Sequence, residues 1–394
     1  MQKDTSIGHC LRLCRIVTVP ITFATLLRQQ ISCIVGAGID LTLVSSPGSE
    51  LDEICRAIPV HGYSIPMTRQ PAPVHDAHSL LALTRFLRRE RFDIVHSSTP
   101  KAGLLSALAG AIARVPVRIH TYTGQAWIEL RGPMRRIARE ADRLIGRLNT
   151  YSYADSNSQR DFLIAEGLIE ATKIMVVGAG SISGVDLQRF NPAVAIEART
   201  DMRRRLGIAE TALVIIFVGR VTRDKGVVEL MTAFRMLREH YDNIHLVLVG
   251  PLEPERDPLP SETLDALSTD AQVHTVGFVS QPEQYLAIAD IFCLPSYREG
   301  FGSVVIEAGA MNLPTAATHV TGVVDAVVDG ETGILVPPKD VAALTWALRT
   351  MVESPELRCR MGQAARLHVV KHFDAKVINQ AVIDEYYRLV RRER

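Results

Sequence analysis

"ALVIIFVGRVTRDKGVVELMTAFRMLREH", residues 212–240, is the stretch on which the fold turns. It begins with an apolar, β-branched run too short for a helix and turns at Gly219-Arg220. After Lys225-Gly226 it carries apolar residues at the three-four spacing of a helix face. That is a strand, a turn and a helix. Strands alternating with helices in this way imply a parallel sheet covered on both faces.

The same rhythm extends outward in both directions. Strands are expected at "RLCRIVTV" (12–19), "IDLTLVSS" (39–46), "VHGYSIPM" (60–67), "FDIVHSST" (92–99), "VRIHTYTG" (117–124) and "KIMVVG" (173–178). Beyond the opening stretch they recur at "NIHLVLVG" (243–250), "VHTVGFV" (273–279), "IFCLPS" (291–296) and "GILVPP" (333–338). Helical patterns such as "HSLLALTRFLRRERF" (78–92) lie between them. So many strand–helix units exceed one sheet, and 394 residues exceed the size at which a single core stops growing. The expectation is an α/β protein of two Rossmann-like, doubly wound domains. The rhythm lapses in "GVDLQRFNPAVAIEARTDMRRRLGI" (184–208), which places the break near residue 190 and gives domains at 1–190 and 191–374. The Pro-rich "GPLEPERDPLPSE" (250–262) reads as an ordinary surface loop. Residues 375–394 read as a helix with no strand after it.

Composition narrows the function. With 47% hydrophobic and 22% charged residues and a net charge of +1, the chain suits a soluble enzyme and lacks the basic excess of a nucleic-acid binder. The balance hides an asymmetry. Residues 1–190 with 375–394 hold 27 basic against 19 acidic residues, while 191–374 hold 17 against 24. The basic half is suited to an anionic surface. Six scattered cysteines without a Cys-x-x-Cys pair point to a reducing, cytoplasmic compartment. The start "MQKDTSIGHCLRLCR" has no apolar targeting core, and the longest apolar runs fall short of the 18 or so residues a membrane span needs.

In doubly wound sheets ligands bind at the carboxyl ends of the strands. "IFCLPS" leads there through "YREGFG" into the helical "SVVIEAGAMN", with Ser303 as its cap. Gly300 and Gly302 let a ligand approach the backbone, and the free amides at the helix start form an anion site. Glu307 lies one turn into the helix, where a carboxylate can accept from a ribose diol, and Glu299 on the loop can hold a second ring. A capped helix with two solvated glutamates fits that spacing equally well. Arg220 and Lys225, at another strand end, are a guanidinium fork and a point charge suited to a diphosphate. The chain holds only seven lysines, which makes one at this place informative.

Other strings carry less. "VGAGID" (35–40) and "VVGAGSISGVD" (176–186) lack the third glycine of a dinucleotide fingerprint, having Leu41 and Ser183 there. Lys101 and Gly103, at the start of a helix, could take a phosphate with help from Arg69, although surface-loop charge is the more economical reading. Arginines at 131, 135, 139, 143 and 147, with Arg136 beside them, form a stripe that suits either anionic lipid or a solvated helix face. No Asp-x-Asp pair is present to clamp a metal on a diphosphate, and no Gly-x-Ser-x-Gly elbow occurs.

Taken together, "GRVTRDKG" (219–226), the Glu-x7-Glu of "EGFGSVVIEAGA" (299–310) and "GVDLQRF" (184–190) resemble family 4 of the retaining GT-B glycosyltransferases. The resemblance covers essentially the whole chain. It is strongest to bacterial enzymes of capsule, O-antigen and lipid-linked glycan assembly, through "TVPITFATLL" (18–27), "STPKAGLLSALAGAIARVPVRIHTYTGQ" (98–125) and "VVGAGSISGVDLQRF" (176–190). It implies two Rossmann-like domains facing a central cleft, an acceptor domain first and a donor domain second, with the last helix crossing back to the first. It implies that Arg220 and Lys225 hold the donor diphosphate, Glu299 the sugar and Glu307 the ribose. Backbone amides of Phe301, Gly302 and Ser303 would reach sugar and phosphate, and "VGFVS", with Gly277, Phe278 and Val279, would hold the base. The family pattern is broken at Thr18-Val19-Pro20-Ile21-Thr22, where relatives have a Gly-Gly loop. It is broken again at Thr123-Gly124-Gln125, where relatives have a histidine and where His120 stands earlier. Lys101, Arg69 and Gln125 remain the acceptor-side candidates.

The reading is a retaining, metal-independent hexosyltransferase that uses a UDP-sugar as substrate and needs no cofactor. Its acceptor is a lipid-linked glycan or oligosaccharide, its place the cytoplasm or the inner face of the cytoplasmic membrane, and its partners include no nucleic acid. Two alternatives stand beside it: a GT-B-type sugar-nucleotide epimerase, and a non-catalytic subunit of a polysaccharide assembly complex.

Overall fold

The first strand, β1 (Arg12–Ile16), pairs on one side with β2 (Asp40–Ser45) and on the other with β4 (Ile94–Ser98), so that Leu13 lies between Leu41 and Ile94. With β3 (His61–Ser64), β5 (Val117–Tyr122), β6 (Tyr151–Ala154) and β7 (Ile174–Val176) it forms a parallel sheet in the order β3-β2-β1-β4-β5-β6-β7. A second parallel sheet combines β8 (Leu213–Val218), β9 (Ile244–Val249), β10 (Val273–Gly277), β11 (Ile291–Leu294), β12 (Thr315–Thr318) and β13 (Gly333–Val336) in the order β10-β9-β8-β11-β12-β13. Each order reverses once, next to β1 and next to β8, and such reversals open the crevice that doubly wound sheets use for ligands. The chain is therefore α/β with two Rossmann-like domains.

This computed structural model describes residues 10–193, 196–255 and 257–393. The first nine residues, where no targeting segment was read, lie outside the described residues, as do 194–195 in the expected linker, Arg256 in the Pro-rich insert and Arg394. The chain divides at Gly184/Val185 and again at Asp374/Ala375, with the last helix in the first unit. The division falls before residue 190 because Val185 already belongs to the second unit: its amide donates to the Phe373 carbonyl at 2.8 Å.

In the first unit, Leu13, Leu41, Leu43 and Ile94 on one face of the sheet share a core with Val382, Tyr386 and Leu389 of the helix Ala375–Glu393. Polar groups register that helix. The Tyr386 hydroxyl meets His96 Nδ1 at 2.6 Å, and Gln30 Nε2 donates to Asn379 Oδ1 at 3.1 Å, all of them buried. Cys14, Ile16 and Val95 point to the other face and pack with Phe86 and Leu105.

In the second unit β8 is buried along Val214–Val218, as its two-sided apolarity requires. The segment read as a linker contains a helix, Ile196–Arg205. Its Arg203 is fully buried. The guanidinium donates to the carbonyls of Ala209, Glu210, Ala212 and Ile288 and pairs with Asp290 Oδ2 at 3.1 Å. Asp290 Oδ2 also accepts from the Val214 amide at 2.8 Å, so one arginine ties this helix to the start of β8.

Candidate active site

At the end of β8 the chain turns sharply. Gly219 and Gly250 have φ of +154° and +143°, and a side chain on Gly250 would run into the Gly219 carbonyl. This close approach lets the Pro-rich segment follow the turn, with the Val221 amide donating to the Pro251 carbonyl at 2.9 Å. Glu253 on that segment reaches Arg220 Nη1 at 3.2 Å, while Arg220 Nη2 pairs with Asp224 at 3.2 Å. Asp257 of the same segment accepts from the Asp224 amide at 2.6 Å. The segment expected to be an ordinary surface loop thus supplies two carboxylates to the site.

Asp224 is a hub. Thr222 Oγ1 donates to it at 2.6 Å, and the Arg298 guanidinium shares its Oδ2 with Arg220. Burial acts to raise its pKa, but the Thr222 hydroxyl and the charges of Arg220, Lys225 and Arg298 outweigh burial and hold the carboxyl below its ordinary value.

Lys225 ends the 3-10 turn Arg223–Lys225, closed by Gly226 at φ +72°. A side chain on Gly226 would collide with the Pro295 carbonyl, so glycine here presses the turn against the loop after β11. The result is an ion pair of 2.5 Å between Lys225 Nζ and Glu299 Oε1, with Ser296 Oγ donating to the same oxygen at 2.8 Å. The helix beyond that loop is Ser303–Ala310. Gly302, at φ +81°, is its cap in place of the expected Ser303, and no side chain caps it. The Val305 amide donates to the Gly302 carbonyl at 2.8 Å, while the amides ahead of it, at the helix start, have no intrahelical partner and can serve an anion. The Phe301 side chain is buried against Phe373, ring centroids 5.2 Å apart, which pins the loop.

Glu307 is partly exposed, and among the described residues nothing hydrogen-bonds its carboxylate. Desolvation raises its pKa to about 7, with Arg189 pulling it down and Glu283 pushing it up. Arg189 itself pairs with Glu283 at 2.6 Å and donates to the Ser280 carbonyl at 2.7 Å. Ser280 follows Gly277, Phe278 and Val279. Gly277 ends β10 at φ +80°, and the Phe278 ring is 59% exposed, an aromatic face open for stacking. Arg220, Lys225, Glu299, Gly300, Phe301, Gly302, Ser303 and Glu307 thus gather at the carboxyl ends of β8 and β11, and 277–279 lie at the end of β10.

The acceptor-side candidates are placed differently. Lys101 Nζ pairs with Asp76 at 2.5 Å and donates to the Gln70 carbonyl at 3.1 Å, which sets it beside exposed Arg69 but occupies its charge. The amides expected to take a phosphate are partly filled from within the chain: Ala102 donates to Thr18 Oγ1, and Gly103 to the Thr99 carbonyl. Gly103 serves packing, since a side chain there would strike the His120 ring. His120 is buried on Ser97 Oγ at 2.9 Å, and desolvation, then Arg15, lower its pKa to about 3, so it stays neutral. Gln125 is buried with its Nε2 unpaired. Thr99 sits at φ +94°, a strained position for a β-branched residue, with Thr18 Oγ1 2.8 Å from its hydroxyl.

Sequence reading missed Asp224, Glu253, Asp257, Arg298 and Arg189 as site residues. Of these, only the neighbours of Lys225 and Glu299 stood close enough in sequence to be suspected.

Two family models cover most of the chain: "Glycosyl transferase 4-like domain" over residues 23–180 and "Glycosyl transferases group 1" over residues 198–368. The chain is 31% identical to the capsular polysaccharide biosynthesis glycosyltransferase CapM of Staphylococcus aureus, over 90% of this chain and 91% of that protein. It is 25% identical to the UDP-Gal:alpha-D-GlcNAc-diphosphoundecaprenol alpha-1,3-galactosyltransferase of Escherichia coli, over 80% and 82%. Its fold matches the crystal structure of Anabaena HepE in complex with UDP and glucose, with a TM-score of 0.80 at 19% identity over 95% of this chain and 99% of that one. With these matches joined to the paired parallel sheets and their strand order, the chain belongs to the GT-B glycosyltransferases of the family 4 type.

Proposed function

We propose that the protein is a retaining glycosyltransferase that moves a hexose or N-acetylhexosamine from a UDP-sugar to a lipid-linked glycan during assembly of a bacterial surface polysaccharide. The observation that supports this reading is the meeting at 2.5 Å, within one unit, of Lys225 and Glu299, the residues assigned to the diphosphate and to the sugar. The capsular and diphosphoundecaprenol-directed activities of the two relatives support the donor and acceptor classes.

On this reading Arg220, Lys225 and the uncapped start of the helix Ser303–Ala310 neutralise the leaving diphosphate, with no metal and no bound cofactor required. Glu299 orients the donor sugar, Glu307 accepts from the ribose hydroxyls, and the exposed Phe278 ring stacks on the base. The acceptor hydroxyl attacks from the face the diphosphate leaves, and a departing phosphate oxygen takes its proton, so the anomeric configuration is retained without an enzyme nucleophile. Lys101, Arg69 and Gln125 are the acceptor-side candidates.

The test is product analysis. Incubation with UDP-sugars and a lipid-diphosphate-linked acceptor should yield a glycoside whose anomeric configuration, read by NMR, matches that of the donor. An inverted centre overturns retention. Turnover of UDP-N-acetylglucosamine without acceptor moves the reading to the epimerase, and failure to bind any nucleotide moves it to the non-catalytic subunit.

A place on the cytoplasmic membrane surface is part of the proposal. No helix among the described residues is long and apolar enough to cross a membrane. On the helix Gly132–Leu148, Arg139 and Arg143 are engaged by Glu166 and Glu140, so they are not the free charges of the expected stripe. Exposed Met134, Ile137 and Leu144 instead form an apolar strip beside Arg136 and Arg147, and an interfacial helix buries such a strip among lipid headgroups. Ile137→Asp with Leu144→Asp should abolish cosedimentation with anionic liposomes. Unchanged cosedimentation removes the membrane assignment.

A further inference from the structure

We propose that Arg189 is a positioning residue for donor binding: it anchors the 277–280 loop and Glu283 and sets the balance of charge around Glu307, the carboxylate assigned to the ribose. The proposal rests on the donor reading above. Its geometry is local. One guanidinium nitrogen donates both to the Ser280 carbonyl, in the loop assigned to the base, and to Glu283 on the helix Pro282–Leu286. Arg189 stacks 5.2 Å over Phe190, which is itself buried and fixes the arginine's origin. Arg189 therefore ties the loop assigned to the base to the helix Pro282–Leu286, from a segment that carries none of the residues assigned to the donor.

The charges around Glu307 can be followed element by element. The segment before Phe190 brings Arg189, with Asp186 behind it, and the helix Pro282–Leu286 brings Glu283. The helices Val323–Ala326 and Pro355–His372 also pack against Ser303–Ala310. There Arg366 donates to the Ala310 carbonyl, His368 and His372 pack on Phe373, and Asp325 and Lys371 are the other charged groups these helices carry near it. Arg189 and Glu283 thus oppose each other. Below about pH 7 Glu307 is increasingly protonated and loses an acceptor oxygen, so donor affinity falls with pH. Removing Arg189 moves this fall to higher pH, and neutralising Glu283 moves it to lower pH. A merely structural role would weaken binding in both variants at every pH.

The experiment is calorimetric titration of the full chain with UDP between about pH 5.5 and 8.5, for wild type, Glu307→Ala, Arg189→Met, Arg189→Lys and Glu283→Gln. The phosphate of UDP titrates near 6 in every case, so the reading is the difference between variants. Arg189→Met should weaken UDP binding about tenfold at pH 7 and place the midpoint about one pH unit higher. Arg189→Lys should restore most of the affinity, and Glu283→Gln should bring the midpoint down. With the UDP-sugar as substrate, the loss in Arg189→Met should fall on KM and leave kcat near wild type. Wild type that binds no UDP overturns the donor reading and this inference together. UDP binding lost in Glu307→Ala but with coincident midpoints in the other variants overturns the inference alone. If Arg189→Met does not fold, the lower midpoint in Glu283→Gln decides.

Discussion

Lys225→Met is expected to lower kcat by about a thousandfold while the protein stays folded, the loss typical of removing one group that meets charge developing on a leaving oxygen. The lysine is fixed by backbone, not by its own flexibility: the Arg223–Lys225 turn closes at Gly226, which abuts the Pro295 carbonyl. Methionine keeps the length and much of the volume, so the turn and its packing survive. What is lost is the cation and its bond to Glu299. The pair is about 15% exposed on each side, so removing it costs stability somewhat more than the 1 kcal/mol or so of a surface pair. That is small beside the roughly 4 kcal/mol implied by a thousandfold loss of rate. Steady-state kinetics beside a thermal melt separate the two. Retention of more than a tenth of wild-type kcat would falsify the assignment of Lys225 to the leaving group.

Arg203→Met should destabilise the second unit by about 3–5 kcal/mol, the usual cost of breaking a buried charge pair. Five carbonyl bonds and the Asp290 pair converge on this one guanidinium, and none is solvent-screened at the arginine, whose side chain is fully buried. Methionine fills the space but leaves the carbonyls of Ala209, Glu210, Ala212 and Ile288 short of donors. Among the described residues, it also leaves Asp290 with Arg199, at 3.4 Å, and the Val214 amide as partners. Arg203→Lys should recover little, because an ammonium cannot serve both sides of the fork. Denaturant unfolding followed by a probe in the second unit is the measurement. A midpoint within error of wild type for Arg203→Met would show that the network contributes nothing net.

The strands that carry their own apolar run were legible. "LVIIFV" and "IHLVLV" are buried on both faces, and that need is written in consecutive residues. β6, "YSYA", and β12, "TAAT", were not anticipated, since hydroxyl and small residues show no such run. Both become strands because neighbours on each side pair with them. "RRR" at 203–205 looks like a solvated run, and nothing local distinguishes the one arginine that is buried. Arg220, Lys225, Glu299 and Glu307 stand out in the sequence because each lies on a loop that leads from a strand to a helix or just inside that helix, and the structure brings them to the carboxyl ends of β8 and β11. Glu253 and Arg189 do not. Their partners are 33 and 94 residues away in sequence, and only the turn glycines and strand order bring them together.

The bond between Lys225 and Glu299 also bears on what the donor must bring. On the proposed assignment each residue is the other's placeholder, so neither is free for a ligand until both are released. A nucleoside diphosphate alone takes Lys225 and leaves the largely buried Glu299 carboxylate with Ser296 but no cation; a free sugar offers Glu299 hydroxyls in exchange for an ammonium and gains little. The intact nucleotide sugar satisfies both at once, and its two halves reinforce one another through their covalent link. Once that link is cut the halves no longer cooperate, and the resting ion pair can re-form as the spent nucleotide departs.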